Sequence, residues 1–313
     1  MISEEVKNQR MIQVAKLYYE DNQSQNEIAK SLGISRPLVS IILKEAKDRG
    51  IVTITINDHV ITSEYVVEKL KNTYRVETVI AVPEAQNSEQ TNMLVAEAAY
   101  QLCFGKANEG KHAGIGWGSM IERMADYADT FPDAPEARGA LFPIVGGVNS
   151  VTRGYHTNEL VRLFSLKTGR QPSFLYIPAL YETPMEFELM KQTEVYQEIE
   201  EEWEYMEQAL VSVSNFPSYP DLGVKSLYGN ALTEMKAVGR VLAHYFDVYG
   251  RIISPLSDST LQASIKQLRQ TNVTAVCSNQ VKPQAVIGAL RTGVVDNLVL
   301  PYGLAETVSS ISF

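Results

Sequence analysis

From the N-terminus to Arg49, apolar residues recur at three- and four-residue spacing, as in helices that bury one stripe. The texture then changes. Gly50-Ile51-Val52-Thr53-Ile54-Thr55-Ile56-Asn57 alternates with period two and predicts a short strand. Residues 58–72 return to helical spacing, with Tyr65, Val66, Leu70 and Tyr74 on one expected buried stripe. From Val76 onward, short β-branched runs alternate with helical stretches. The expected strands are Glu77–Val82, Ala113–Trp117, Ala140–Val145, Ser173–Ile177, Ala209–Ser214, Val273–Cys277 and Asn297–Leu300. Helices are expected near 88–103, 118–128, 156–168, 185–207, 260–270, 283–291 and 303–311, and Gly239 to Ser254 reads as a hairpin around Tyr249-Gly250. Near-continuous apolar strands alternating with helices predict a parallel sheet covered on both faces, an α/β fold. The expected division is 1–57, a linker helix at 58–75, and 76–313.

Charge sharpens that division. The 313 residues carry a formal net charge of −9, which taken whole argues against a polyanionic partner. Residues 1–57 hold eight Lys or Arg against seven Asp or Glu, a net of +1 that leaves −10 for the rest. The acidic, short N-terminus lacks a signal-peptide profile, and no apolar run reaches the roughly 18 residues of a membrane span. Cys103 and Cys277 form neither a disulfide framework nor a metal spacing, so a cytoplasmic chain is expected.

Within the first segment, Gln25 to Leu43 reads QNEIAKSLGISRPLVSIIL. Ser24 and Glu27 can form a capping box, Ala29 permits close helix approach, and Gly33 suits a left-handed turn. Ile34 plugs the turn, Ser35 caps the next helix, and Pro37 falls in its first turn, where a missing N–H costs nothing. Ile28, Leu32, Val39 and Ile42 form the expected core. Ser35, Arg36, Leu38, Ser40, Ile41 and Lys44 are left outward, short polar and cationic groups near a helix N-terminus that suit the major groove of DNA. Gln25 and Pro37 complete the candidate contact set. Arg36 suits either a guanine edge or a phosphate, and Gly50–Asn57 has the size of a β-wing. Plain three-helix packing satisfies the same spacing, but not the coincidence of caps, turn and outward basic residues.

These residues resemble the SorC family of bacterial sugar-responsive regulators: Ala15-Lys16-Leu17-Tyr18-Tyr19, Ser24-Gln25-Asn26-Glu27-Ile28-Ala29 and Gly33-Ile34-Ser35-Arg36-Pro37-Leu38-Val39-Ser40. The resemblance runs through nearly the whole chain. It implies a winged helix-turn-helix joined to a Rossmann-like, parallel-sheet effector domain similar to sugar-phosphate isomerases and deaminases, with double-stranded operator DNA and a sugar or sugar phosphate as partners and a homotetramer as the assembly. Leu38 and Ile41 stand where members often carry Ser or Thr and Arg.

Gly114-Ile115-Gly116-Trp117-Gly118-Ser119 forms a glycine-rich strand–helix turn whose N–H groups and Ser119 hydroxyl can cradle a phosphate or sugar hydroxyls. It also resembles the family's effector loop. By the same resemblance, Gly146, Gly147 and Asn149 form the opposite wall, and Asn158, Asp247, Gln280 and Lys282 are further effector candidates. His156 is either a sugar ligand or a cap, and Trp117 either a stacking face or core. Val145 replaces a Lys or Arg found in some relatives, which argues against a covalent imine with the effector. Arg240 is a candidate substitute for anion pairing. The run from Glu182 to Glu207, ten Glu with one Lys, reads as a solvated helix face over a stripe of Phe187, Val195, Ile199, Trp203 and Met206. No catalytic residue, metal ligand or cofactor is expected. The rival readings are a sugar-phosphate isomerase or deaminase-like enzyme using Asp247 and His156, and a constitutive DNA-bridging protein with a vestigial pocket.

Overall fold

The computed structural model describes residues 4–19, 21, 23–49, 51–52, 59–217, 227–255 and 259–311. The chain divides into two compact units, Met1–Val60 and Ile61–Phe313, so the division falls inside the first turn of the helix expected as a linker. Most of the expected Gly50–Asn57 strand lies outside the described residues.

The first unit holds α1 (Glu4–Tyr19), α2 (Gln25–Leu32) and α3 (Arg36–Asp48). Ser24 and Glu27 do form a capping box at α2, and Gly33 ends that helix in the left-handed region at φ 63°. Its position has open space, so the glycine answers to backbone conformation rather than crowding. Ser35 caps α3 through the Leu38 N–H. Met11, Val14, Ile28, Val39, Ile42, Leu43 and Ala46 are buried between the three helices, with Ala29, Leu32 and Ile34 packed against them.

In the second unit, α4 (His59–Tyr74) leads into β1 (Thr78–Val82), α5 (Ser88–Phe104), β2 (Ala113–Ile115), α6 (Ser119–Ala128), β3 (Ala140–Pro143), α7 (Thr157–Thr168) and β4 (Gln171–Pro172). Then come α8 (Pro184–Met190), α9 (Glu194–Glu204), β5 (Gln208–Asn215), α10 (Ala231–Glu234), β6 (Ala237–Val241), β7 (His244–Asp247) and β8 (Ile252–Ile253). The chain closes with α11 (Ile265–Arg269), β9 (Asn272–Val276), α12 (Pro283–Arg291), β10 (Asn297–Pro301) and α13 (Tyr302–Ser310). Seven strands pair in parallel in the order β1-β10-β9-β5-β2-β3-β4. β6, β7 and β8 form an antiparallel meander hung on the far end of β5.

Strand periodicity builds three layers. Val79, Phe142, Ala209, Val211, Val273, Ala275, Leu298 and Leu300 enter the core beneath α4, α8, α9, α12 and α13. Their alternates Leu141, Leu210, Val276 and Val299 enter the core beneath α5, α6 and α7. Successive strand residues point to opposite faces, so both faces are apolar. Cys103 and Cys277 are free and buried, and burial pushes both thiols up to about 12. Among the described residues no helix is long and apolar enough to cross a membrane.

Several expectations need correction. Ser173–Ile177 forms no ladder, because the Asn158 carboxamide takes both the N–H and the C=O of Leu175. The helix expected over 185–207 is two helices, the second capped afresh by Thr193. That restart changes the register, leaving Val195 49% exposed and burying Tyr196 instead, while Phe187, Ile199, Trp203 and Met206 stay inside. The helix near 260–270 begins only after the Ser264 cap, since Thr260 and Gln262 bridge to Leu180 and Val145. Tyr65 is 67% exposed, whereas Val66 and Leu70 of the same helix are buried. The hairpin around Tyr249-Gly250 exists as β7 and β8, but β6 extends it to three strands.

Glu202 on α9 accepts a hydrogen bond from Ser173, and its other carboxylate oxygen is buried without a partner among the described residues. Burial raises its pKa above the ordinary carboxylate value, against the Ser173 bond and His112, which lower it. The native state therefore holds this proton more tightly than the unfolded chain. Its stabilising contribution is full below the unfolded carboxylate pKa and is lost as pH rises through the native value. Glu202→Gln is expected to raise the denaturant midpoint at pH 8 relative to the parent and to leave it unchanged at pH 4; an equal effect at both pH values would contradict this account.

Candidate functional site

In the first unit, α3 presents the outward face that the spacing predicts. Ser35, Arg36, Pro37, Ser40 and Lys44 are exposed, Leu38 is 38% exposed and Ile41 60%, while Val39, Ile42, Leu43 and Ala46 are buried. Gln25, first residue of α2, is half-buried. The α3 N-terminus, Arg36 and Lys44 lie on a capped helix, so no side chain must be drawn from the core to meet a polyanion.

In the second unit, sheet topology picks out one place. From β2 the chain goes to β3 on one edge; after β5 it makes the meander and returns as β9 on the opposite edge. Neighbouring strands whose connections diverge in this way leave a crevice at their carboxyl ends. There the structure has a cavity of about 350 Å³ lined by Ser119, Thr152, Tyr155, Ser212, Val213, Ser214, Asn215, Pro217, Ser278, Gln280 and Val281. Six of these offer hydroxyls and two offer carboxamides; among the described lining residues none is charged.

The walls are held from behind. Gly118 has φ 133°, and a Cβ there would lie 2.7 Å from the Ser212 Cβ, so only glycine brings the start of α6 this close to β5. Its N–H donates to the Gly154 carbonyl at 2.8 Å, and no side chain caps α6, at whose first residue Ser119 sits. The Asn215 side chain donates to the Gln280 carbonyl at 2.9 Å and accepts from the Lys282 N–H at 2.7 Å, stapling the loop after β9 to the end of β5. Asn92 holds the same loop from the other side, accepting from the Asn279 N–H. Tyr155 is buried, packs on Trp117 with ring centroids 5.6 Å apart, and accepts from Arg240 through its hydroxyl at 3.2 Å.

The sequence candidates therefore separate. Ser119 and Gln280 line the switch-point cavity. Gly147, His156 and Asn158 line a second cavity of about 480 Å³ with Arg162, Phe174 and Tyr176, and Tyr155 borders both. There Asn158 is engaged with Leu175, and a His156 ring nitrogen lies 2.7 Å from the Ser150 carbonyl. Gly116 packs on Leu210 and Gly146 on Pro178 and Ala179, as close supports. Val145 is buried in the core. Asn149 is exposed and lines neither cavity, and Lys282 meets the site through its backbone.

Two candidates take other roles. Trp117 is 2% exposed, so it has no face to stack on a ligand. Asp247, 4% exposed, accepts from the Tyr249 and Arg251 N–H groups and from the Arg251 guanidinium at 2.6 Å, which makes it the lock of the β7–β8 turn. Arg240 is likewise not a lining residue: it donates to the Leu242 carbonyl at 2.6 Å and to Tyr155. Ser212, Ser214 and Asn215 were not candidates from sequence. The available signal was polar residues at the end of an otherwise apolar strand.

A small α-helical unit with a cationic outward helix, joined to a three-layer α/β unit with a hydroxyl- and amide-lined crevice, defines a two-part binding protein. The family model described as "Putative sugar-binding domain" matches residues 58–308, and the chain belongs to that family, the one to which the resemblance to SorC regulators points. The chain is 24% identical to the sorbitol operon regulator of Klebsiella pneumoniae over 95% of its length and 96% of the relative's. It is 25% identical to the deoxyribonucleoside regulator of Bacillus subtilis, covering 94% and 95%. The crystal structure of the full-length Klebsiella sorbitol operon regulator SorC superimposes with a TM-score of 0.78 at 22% identity, over 96% of this chain and 98% of that one.

Asp247→Ala is expected to destabilise the second unit by about 3 kcal/mol, because it strips hydrogen bonds to a charged acceptor and leaves two turn N–H groups unpaired. Denaturant unfolding measures this, and carbohydrate binding, assayed well below the midpoint, should keep its affinity.

Proposed function

We propose that this chain is a DNA-binding transcriptional regulator of a carbohydrate operon. In this reading Gln25, Ser35, Arg36, Pro37, Leu38, Ser40 and Lys44 face double-stranded operator DNA. A sugar or sugar phosphate binds at the switch-point cavity, with Ser119, Gln280 and the carboxyl end of β5 in contact. The observation that carries it is the lining, hydroxyl- and amide-rich and without charge among the described residues, at the crevice where the connections of β2 and β5 diverge. Such groups can both donate to and accept from a polyhydroxylated ligand, and the uncapped α6 N-terminus favours any anionic group it bears. The Asp247 and His156 pair of the enzyme reading is not brought together: His156 lines the other cavity, and Asp247 is held by its own turn.

The effector acts by preferring one quaternary arrangement, which changes the spacing of paired α3 helices and hence the operator affinity. A near-neutral reading unit makes few ionic contacts by itself, so a homotetramer supplies the avidity.

Thermal unfolding of the purified chain with a panel of sugars and sugar phosphates tests the sensing half. The matching ligand, at about a hundred times its Kd, adds about 2.7 kcal/mol of apparent stability. Arg36→Ala is expected to lose sequence-specific DNA binding while keeping that stabilisation. Stabilisation by non-carbohydrate metabolites alone would reject the sensing role, and loss of both properties in Arg36→Ala would reject the division of labour.

A further inference from the structure

The outward face of α3 has an apolar centre. Pro37, Ile41 and Lys44 follow i, i+4 and i+7, one row down the helix opposite the buried Val39, Ile42 and Ala46. Ile41, 60% exposed, is the middle of that row, and Leu38, 38% exposed, lies three residues before it on the adjoining surface. Arg36, Ser40 and Lys44 surround them. An isoleucine on a helix has essentially one χ1 rotamer, so Ile41 is a stiff apolar knob that loses little freedom on contact.

A knob of this kind set among cations needs an apolar partner that lies beside phosphates. In the major groove each base pair offers hydrogen-bonding edges, and thymine adds its C5-methyl group. We propose that Ile41, flanked by Leu38, reads thymine C5-methyl groups in the operator, so that sequence is recognised at the centre of this face by apolar contact rather than by a hydrogen bond. Arg36 and Lys44 set the register of the helix on the duplex. The proposal rests on the DNA-binding reading above and adds to it the identity of the base and of the group on the base.

The experiment starts from the full chain and a randomised duplex library, from which bound sequences are selected. Each thymine of the enriched site is then replaced singly by deoxyuridine, which removes the methyl and keeps every hydrogen-bonding group. At one or two thymines per half-site, binding should weaken about fourfold, the worth of one buried methyl. With Ile41→Ala, at a position 60% exposed and outside the buried cluster, and with a residue that favours helix, that penalty should fall to about onefold at the same thymine and persist elsewhere. An enriched site insensitive to deoxyuridine, or an undiminished penalty in Ile41→Ala, overturns the proposal while leaving DNA binding standing. Failure to enrich any sequence overturns both. A change in oligomer size in Ile41→Ala, with the deoxyuridine penalty intact, assigns the knob to a protein contact and overturns it as well.

Discussion

A sheet buried on both faces can place polar chemistry only where its strands stop. In this molecule both sides of the central strands are apolar, down to the alternation of Leu210 with Ala209 and Val211 and of Val299 with Leu298 and Leu300. Solvent-compatible side chains are therefore driven to the strand ends, and divergent connections decide which ends stand open. The cavity at β2, β5 and β9 follows from that constraint. β5 shows it most directly: its first half is closed by parallel neighbours on both edges, and its second half turns to the antiparallel meander while Ser212, Ser214 and Asn215 emerge at the cavity.

Charge obeys the same constraint. Arg240 and Asp247 are both almost fully buried, and each is taken up by its surroundings: Arg240 by the Leu242 carbonyl and the Tyr155 hydroxyl, Asp247 by two N–H groups of its own turn and the Arg251 guanidinium. A buried ion is tolerated only when its hydrogen bonds are met. Residues that look like ligand-binding charges in a sequence can thus be the fasteners of the element beside the site.

Much of this was legible in the sequence. Short, near-continuous apolar runs located six of the seven expected strands, because a strand buried on both sides must be apolar throughout. The α2–α3 region was legible because Ser24, Gly33, Ser35 and Pro37 each have a local backbone reason to be where they are. What escaped depends on contacts distant in sequence. Nothing local announces that Asn158 will satisfy Leu175 and dissolve a strand, or that Thr193 will restart a helix and turn Val195 outward. The candidate site was half-legible: Ser119 and Gln280 sit in turns that glycine and polar clusters mark, whereas Asn215 acts by joining the end of β5 to a loop 65 residues on. Trp117 was the ambiguous case, since an aromatic beside a glycine loop looks the same whether its ring faces a ligand or Tyr155.

The two buried cysteines have a practical corollary. With thiols pushed up to about 12, Cys103 and Cys277 hold almost no thiolate at neutral pH, and the thiolate is the nucleophile. Both side chains are also buried, so slow reaction of the folded chain with maleimides and other alkylating reagents is expected. A single cysteine introduced on the surface would then carry a fluorophore or spin label with little background from the native pair. Labelling of Cys103 and Cys277 would in turn report the opening of the core itself.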